Sequence, residues 1–120
     1  MQNFPLVSVI CLSYNHEVYV VEALNSVINQ TYPNIELLIA DDCSSDHSVG
    51  VIQDWLQHHP NVYFLANEKN LGNTKTFNQL AKKAKGEFII DLAADDILLP
   101  NCIEKQVTIF QNSKYENLGI

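Results

Sequence analysis

The sequence predicts an α/β domain in which helices cover both faces of a parallel sheet of about four strands. Four short apolar runs alternate along the chain with four segments whose apolar residues recur at helical spacing. Strands that alternate with helices in this way pair in parallel, because each connection crosses over the sheet. The length of 120 residues and the hydrophobic content of 47% are enough for one globular domain with its own core.

The first half of the chain supplies two strands and two helices. Residues 7–12 and 35–40 are short apolar runs of the kind found in strands that are buried on both faces. The first helix ends near Gln30, before a turn that contains proline. The second helix follows a turn at 41–46 and stops before Pro60. The apolar positions are Val20, Val21, Leu24, Val27 and Ile28 in the first helix, and Val49, Ile52, Trp55 and Leu56 in the second.

The second half of the chain repeats this pattern. Residues 62–66 and 88–92 are the third and fourth strands, and a loop at 67–73 leads into the third helix. Gly86 marks the end of that helix, and Pro100 opens a fourth helix. The apolar positions are Phe77, Leu80, Ala81 and Ala84 in the third helix, and Ile103, Val107 and Phe110 in the fourth.

The charge balance excludes some classes of ligand. Acidic residues outnumber basic ones 14 to 7, and the net charge of −7 argues against broad binding to nucleic acid. All seven basic residues are lysines, so a bound phosphate must be held by backbone amides, a lysine or a metal. The three cysteines lie far apart, which indicates a reducing compartment. No apolar run approaches the roughly 20 residues that span a bilayer, so we expect no membrane span in this segment.

Two pairs of aspartates stand where predicted strands end. Asp41-Asp42 follows the second strand, and Asp95-Asp96 follows the fourth. Ligands of parallel sheets bind at the carboxyl ends of the strands, where the strand order changes direction. Adjacent acids there need a cation or hydrogen-bond donors nearby, and Mg²⁺ or Mn²⁺ suits aspartate ligands. Aspartate is also a common cap residue, which is how we interpret Asp46, whereas we expect functional roles for Asp42 and Asp95.

The expected strand order, 3-2-1-4, separates the two aspartate pairs. Strands two and four are then two strand spacings apart, which is about 10 Å. One metal ion does not easily bind both pairs at that separation. We therefore expect one pair to contact an organic group and the other pair to hold the metal. A nucleoside diphosphate has about the length that this arrangement requires.

Several separated motifs carry a resemblance to a known family. They are residues 7–15, residues 26–36, the run Asp41-Asp42-Cys43-Ser44-Ser45-Asp46, residues 86–89, and Asp95-Asp96 with Pro100. Together, and in this order, they resemble the N-terminal half of glycosyltransferase family 2 over residues 5–110. The resemblance implies the GT-A fold, with a Rossmann-like nucleotide-binding half. It also implies that a sugar is transferred from a nucleotide-sugar donor with inversion, using Mg²⁺ or Mn²⁺.

The resemblance implies roles for several residues near the nucleobase. Tyr14 matches the aromatic residue that packs on the base, although a tyrosine that caps the core is the alternative. Asp42 matches the acid that accepts a hydrogen bond from the base, and N3–H of uracil is the expected donor. Asp41 would support Asp42 or contact the ribose, and Leu12 would supply backbone groups near the base. Glu17 recurs in the family, and a donor contact and a helix N-terminal charge both stay open for it.

A second group of matches concerns the diphosphate. Asp95 matches the last acid of the family's DxD motif, which coordinates the metal. The first acid of that motif is Ala93 here, and Asp91 lies on the strand and does not simply replace it. Asn78 matches a family position in the third helix. Lys75 could reach a phosphate from the start of that helix, but we favour a solvated surface lysine.

The resemblance also implies what lies outside the sequence. The family's general base is an aspartate of the second half, so we expect no catalytic residue within residues 1–120. We expect these residues to form a single donor-binding domain that is truncated and inactive alone. The whole protein would transfer a sugar from a UDP- or dTDP-sugar to an envelope or extracellular polysaccharide, with a glycan or glycolipid as acceptor. By analogy, we expect it in the cytoplasm, at the inner face of the plasma membrane.

Two other classes stay open at this point. A phosphoacceptor receiver domain is also an acidic α/β domain of this size, but it carries its acid pair after strand one, where this chain has Ser13-Tyr14-Asn15. A non-catalytic nucleotide-binding module is compatible with Ala93 and with the missing second half. Activity of the full-length protein, with and without Asp95, would separate such a module from an enzyme.

Overall fold

A computed structural model describes residues 4–113 of the chain. Within these residues four strands alternate with four helices, and the strands pair in parallel. The elements are β1 Val7–Ser13, α1 Val20–Ile28, β2 Ile35–Asp41, α2 Ser48–Leu56, β3 Tyr63–Ala66, α3 Asn73–Ala81, β4 Phe88–Ala93 and α4 Cys102–Ser113. The order in the sheet is β3-β2-β1-β4, which confirms the order that the sequence predicts.

Some elements end slightly away from their predicted positions. β1 and β2 each run one residue further, because Ser13 and Asp41 continue the pairing between them. β4 extends to Ala93, which pairs with the end of β1. α3 ends at Ala81, short of the last apolar position predicted for it. α4 begins after the turn that contains Pro100 rather than at the proline itself.

The sheet carries an apolar core on each face. The larger cluster joins the sheet to α1, α2 and α4, and the smaller one joins it to α3. Val9 and Ile10 of β1 are both fully buried but belong to different clusters. This division follows from the alternation of side chains along a strand. Helices therefore cover both faces of the sheet, as predicted.

Trp55 is a core residue, as its helical spacing predicts. It is only 8% exposed and packs in the larger cluster. Its indole Nε1 donates a hydrogen bond of 2.9 Å to Asn25 Oδ1, which joins α2 to α1. Its ring also stacks on the ring of His59, with centroids 3.9 Å apart. These contacts fix α2 against α1 on one face of the sheet.

Gly86 lies where two segments of backbone approach closely. Its amide N donates a hydrogen bond of 2.8 Å to Ser8 Oγ at the start of β1. A Cβ atom at this position would lie 2.6 Å from both Ser8 N and Ser8 Oγ. Only glycine therefore fits here without a shift of the backbone, and the contact fixes where β4 begins beside β1.

The carboxyl ends of the central strands meet at one edge of the sheet. Asp41 ends β2 opposite Ser13 of β1, and Ala93 ends β4 on the other side of β1. The loops that follow these three strands therefore gather around the end of β1. Among the helices of residues 4–113, none is both long enough and apolar enough to cross a membrane.

Candidate functional site

A cavity of about 480 Å³ opens at the carboxyl ends of β1 and β4. Pockets for small molecules commonly have volumes of about 300–1,000 Å³. The lining comes from the end of β1, the first half of α3 and the end of β4, and it includes Leu12, Tyr14, Phe77, Asn78, Asp91 and Ala93. The direction of the strand order changes at β1, between β2 and β4. The cavity therefore lies where parallel sheets bind their ligands.

Three of the residues predicted to bind a nucleotide line this cavity, namely Leu12, Tyr14 and Asn78. Tyr14 is 44% exposed, so it does not cap the core. An exposed aromatic ring in a cavity wall offers a face on which a flat group can stack. The other predicted residues, which are Glu17, Asp41, Asp42, Lys75 and Asp95, do not belong to the lining.

Asp42 holds the segment that leads into α3. Asp42 is buried, with only 4% of its surface exposed. Its Oδ1 accepts hydrogen bonds from Leu71 N at 2.8 Å and Asn67 Nδ2 at 3.1 Å, and its Oδ2 accepts one from Gly72 N at 2.9 Å. Burial acts to raise the pKa of this carboxyl, but the hydrogen bonds, including one from the Thr76 side chain, outweigh burial and lower it. Asp42 thus fixes the N-terminal end of α3, which forms one wall of the cavity.

Asp41 closes the turn that follows β2. The residue is fully buried. Its Oδ2 accepts a hydrogen bond of 2.8 Å from Ser44 N, and its Oδ1 accepts one of 2.5 Å from Ser44 Oγ. The turn also places Cys43 at a positive φ of 64°, which is uncommon for a residue other than glycine. Asp41 therefore shapes the loop after β2 and does not form part of the cavity wall.

Asp46 ties the loop after β1 to the start of α2. Its Oδ1 accepts from Ser48 N at 2.9 Å, and its Oδ2 accepts from Glu17 N at 3.2 Å. Burial acts to raise its pKa, but hydrogen bonds from Ser48 and Glu17 and the charge of His47 lower it. The N-cap position of α2 is His47, so Asp46 acts one residue before the position expected for a cap. Glu17 lies beside His47, with its Oε2 3.5 Å from His47 Nδ1.

Asp95 lies at the rim of the site. Its side chain is 50% exposed, and its Oδ2 is 3.8 Å from His16 Nε2. Within the residues that the structure describes, no three His, Cys, Asp or Glu side chains converge on one point. Mg²⁺ is commonly bound through one or two carboxylates together with water and substrate phosphates, so the Asp95-Asp96 pair fits such an ion without a complete protein cage.

The two predicted residues of α3 differ in their positions. Asn78 faces the cavity, whereas Lys75 is exposed and does not line it. This placement agrees with the surface-lysine interpretation of Lys75. Asn78 is neutral and Lys75 is positively charged, so neither residue would repel the phosphate of a ligand.

Sequence reasoning missed some of the lining. His16, Asn73 and Thr74 also contribute to the cavity wall, and so does Asp96 of the predicted aspartate pair. The signal for His16 was its place in the loop that follows the first strand, where the strand-end rule applies as it does to the aspartates. Asn73 and Thr74 carry no such signal, because their position depends on how Asp42 orients α3.

Comparison with known proteins identifies the family. Residues 8–118 match the model of the family described as glycosyl transferase family 2. This chain belongs to glycosyltransferase family 2. The membership decides against the receiver-domain alternative, which the position of the acid pairs already disfavours.

Relatives and solved structures agree with the family. Chondroitin synthase of Escherichia coli is 34% identical over 104 residues, which are 87% of this chain and 15% of that protein. A structure of S. aureus TarS 1-349 in complex with UDP has a TM-score of 0.80 and 28% identity, over 91% of this chain and 33% of that one. The mannosyltransferase PcManGT from Pyrobaculum calidifontis, in complex with GDP-Man and Mn²⁺, has a TM-score of 0.72 and 26% identity, over 79% of this chain and 29% of that one.

These similarities confirm the predicted Rossmann-like GT-A half-domain, with its parallel sheet and strand order. The chain covers only part of the length of its relatives. The chain spans 36% and 39% of the length of two further curated relatives, from Haemophilus influenzae and Methanocaldococcus jannaschii.

Proposed function

We propose that this chain is the donor-binding domain of a metal-assisted, inverting glycosyltransferase that uses a UDP- or dTDP-sugar. The observation that supports this best is the cavity at the carboxyl ends of β1 and β4, with Tyr14 in its wall and the Asp95-Asp96 pair beside it. An aromatic face for a base and carboxylates for a phosphate-bound cation are the two features that a nucleoside diphosphate requires. The structure of the TarS relative with UDP agrees with this donor class.

The base end of the site is proposed to lie against Tyr14. The ring of Tyr14 would stack on the base, and Leu12 would contribute backbone groups beside it. Asp42 remains the proposed acceptor for N3–H of the base. Its oxygens already accept hydrogen bonds from three donors in the loop between β3 and α3, and the Thr76 side chain is a fourth donor. A carboxylate has about four acceptor sites, so N3–H of the base would have to replace one of these donors. Asp41 would support this arrangement by holding the turn in place.

The diphosphate end is proposed to lie at Asp95. Asp95, with Asp96 next to it, would hold Mg²⁺ or Mn²⁺, in agreement with the Mn²⁺ complex of PcManGT. Such an ion supplies a Lewis acid that stabilises the departing nucleotide. Because the chain has no arginine, metal and backbone amides would carry most of the phosphate recognition, with Asn78 nearby in the wall.

The acceptor is proposed to be an envelope or extracellular polysaccharide, in the form of a glycan or glycolipid. The name of the relative chondroitin synthase agrees with polysaccharide chemistry. We place the general base and the acceptor site in further sequence of a longer protein, so the present chain alone would bind the donor without transferring sugar. A location in the cytoplasm, at the inner face of the plasma membrane, stays a prediction.

Calorimetric titration tests the proposed donor site. The chain is titrated with UDP, dTDP, GDP and ADP, each with and without Mn²⁺. We expect one pyrimidine diphosphate to bind in the presence of Mn²⁺, and Asp95→Ala to lose the metal-dependent part of that binding. Asp54→Ala is the matched control, because Asp54 is an exposed acid on α2 outside the cavity. Equal binding with and without the metal, or an equal loss in both variants, would contradict the role of Asp95.

Ala93 favours a second candidate function, which is nucleotide binding without catalysis. This residue replaces the first acid of the motif and lines the cavity with a methyl group. Sugar transfer by the full-length protein, abolished by Asp95→Ala, would support the enzyme. Binding of the nucleotide without turnover in the full-length protein would support the module.

A further inference from the structure

Asp91 is a charged residue on an otherwise apolar strand. It pairs with Ile10 of the central strand β1 and shares a face of β4 with Ile89 and Ala93. The residues between them, Ile90 and Leu92, point to the opposite face and pack in the larger core cluster. All three residues of the Asp91 face are exposed. The carboxylate of Asp91 therefore does not belong to the core.

The carboxylate of Asp91 lines the 480 Å³ cavity without a partner. Among residues 4–113 its carboxylate has neither a side-chain hydrogen bond nor an ion pair. Partial burial raises its pKa. The pKa of the Cys11 thiol, which lies on the other face of the sheet, is raised to about 12 by burial and by the charges of Asp91 and Asp95. The carboxylate of Asp91 therefore offers two acceptor oxygens to a ligand in the cavity that carries hydrogen-bond donors.

Ala93 gives a ligand access to this carboxylate. Asp91 and Ala93 are one strand repeat apart on the same face, which is about 6.6 Å. Ala93 carries only a methyl group where the family motif has its first acid. The cavity wall thus has only a methyl group at Ala93. It has a carboxylate at Asp91, which lies one repeat further from the carboxyl end of β4. A ligand therefore has to reach past Ala93 to contact the carboxylate of Asp91.

The chemistry of the carboxylate restricts the part of the ligand that can lie there. An ionised carboxylate only accepts hydrogen bonds, and its two oxygens match two adjacent hydroxyl groups. It repels phosphate, so the diphosphate cannot occupy this position. With a base at Tyr14 and phosphates at Asp95, the remaining neutral part of a nucleotide is its ribose, which carries two adjacent hydroxyls.

We propose that Asp91 accepts hydrogen bonds from the ribose hydroxyls of the donor nucleotide and so selects ribonucleotides over 2′-deoxyribonucleotides. This inference rests on the proposed function and narrows it, because UDP has the 2′-hydroxyl and dTDP lacks it. The residue determines specificity and has no part in the transfer itself.

The experiment compares UDP with 2′-deoxy-UDP, both with Mn²⁺, by calorimetric titration. The wild-type chain is expected to bind UDP about tenfold or more tightly than 2′-deoxy-UDP, as fits a hydrogen bond to a charged group. In Asp91→Ala the two affinities become nearly equal, and in the isosteric Asp91→Asn the ratio falls between these values. Asp54→Ala, which removes the same charge from an exposed site on α2, retains the wild-type ratio. Thermal unfolding of each variant confirms that it is folded.

The outcomes separate this inference from the proposed function. If the wild-type chain binds UDP but does not prefer it to 2′-deoxy-UDP, the inference is wrong and the donor site stands. The same holds if Asp91→Ala weakens both ligands and leaves their ratio unchanged. If neither nucleotide binds the wild-type chain with Mn²⁺, the donor site itself is contradicted, and the inference fails with it.

Discussion

Replacement of Asp42 by asparagine is expected to loosen the start of α3. Asparagine keeps one acceptor oxygen but puts an NH₂ group where Oδ2 now accepts from Gly72 N at 2.9 Å. A buried donor without a partner costs about 1–3 kcal/mol, and the remaining hydrogen bonds to Leu71 and Asn67 lose their charge assistance. The expected loss in the free energy of unfolding is about 2–4 kcal/mol. This is a large part of the total, because the free energy of unfolding of such domains is about 5–15 kcal/mol.

The assay is urea unfolding followed by circular dichroism at pH 7, with Asp54→Asn as a control that changes the charge at an exposed site. The pH dependence gives a second test. Because the folded-state pKa of Asp42 lies below its ordinary value of 3.8, its contribution is fully present above that value and is lost as the pH falls through the folded-state pKa. The difference between wild type and Asp42→Asn should therefore shrink once the pH falls below about 4.

Two results would refute this account of Asp42. One is a change in the free energy of unfolding at pH 7 no larger than that of Asp54→Asn. The other is a difference between wild type and Asp42→Asn that stays constant down to pH 3, since a structural effect without the carboxylate charge would not titrate.

Three further changes test other parts of the structure. Gly86→Ala should lower the free energy of unfolding by about 1–3 kcal/mol, because the added Cβ meets Ser8, and unchanged urea unfolding would contradict that contact. Cys11 is fully buried with a pKa raised to about 12, so a thiol reagent at pH 8 should label the other two cysteines first and Cys11 only after denaturation. Tyr14→Ala should weaken binding of UDP by about tenfold through lost base stacking while leaving the thermal midpoint unchanged, and equal affinity would argue against Tyr14 as the stacking residue.

The fold could be predicted because its signals are local. The apolar runs and helical spacings fix where strands and helices lie, and their alternation dictates parallel pairing. The ends of the elements are less certain, because pairing decides them. Ser13 and Asp41 look like loop residues in sequence but extend β1 and β2 by pairing with each other.

The candidate site could be predicted only in part. The strand-end rule leads to Tyr14 and Asp95, since both follow predicted strands directly. The contacts of Asp42 with Leu71 and Gly72 could not be foreseen, because they cross 29 and 30 positions of sequence and depend on the path of a loop. The exposed carboxylate of Asp91 was recognisable as unusual, but its place in the cavity wall requires the position of α3 over the sheet.

Mapping of the nucleotide contact surface by NMR tests the proposed donor site most directly. UDP with Mg²⁺ is added to the isotope-labelled chain, and shifts of backbone amide resonances are followed. We expect the shifts at residues 12–16, 73–78 and 91–96, which surround the cavity of about 480 Å³. Shifts confined to the second cavity, of about 360 Å³ near Tyr32 and Tyr63 at the start of β2 and β3, would contradict the account, as would the absence of any shift at saturating UDP.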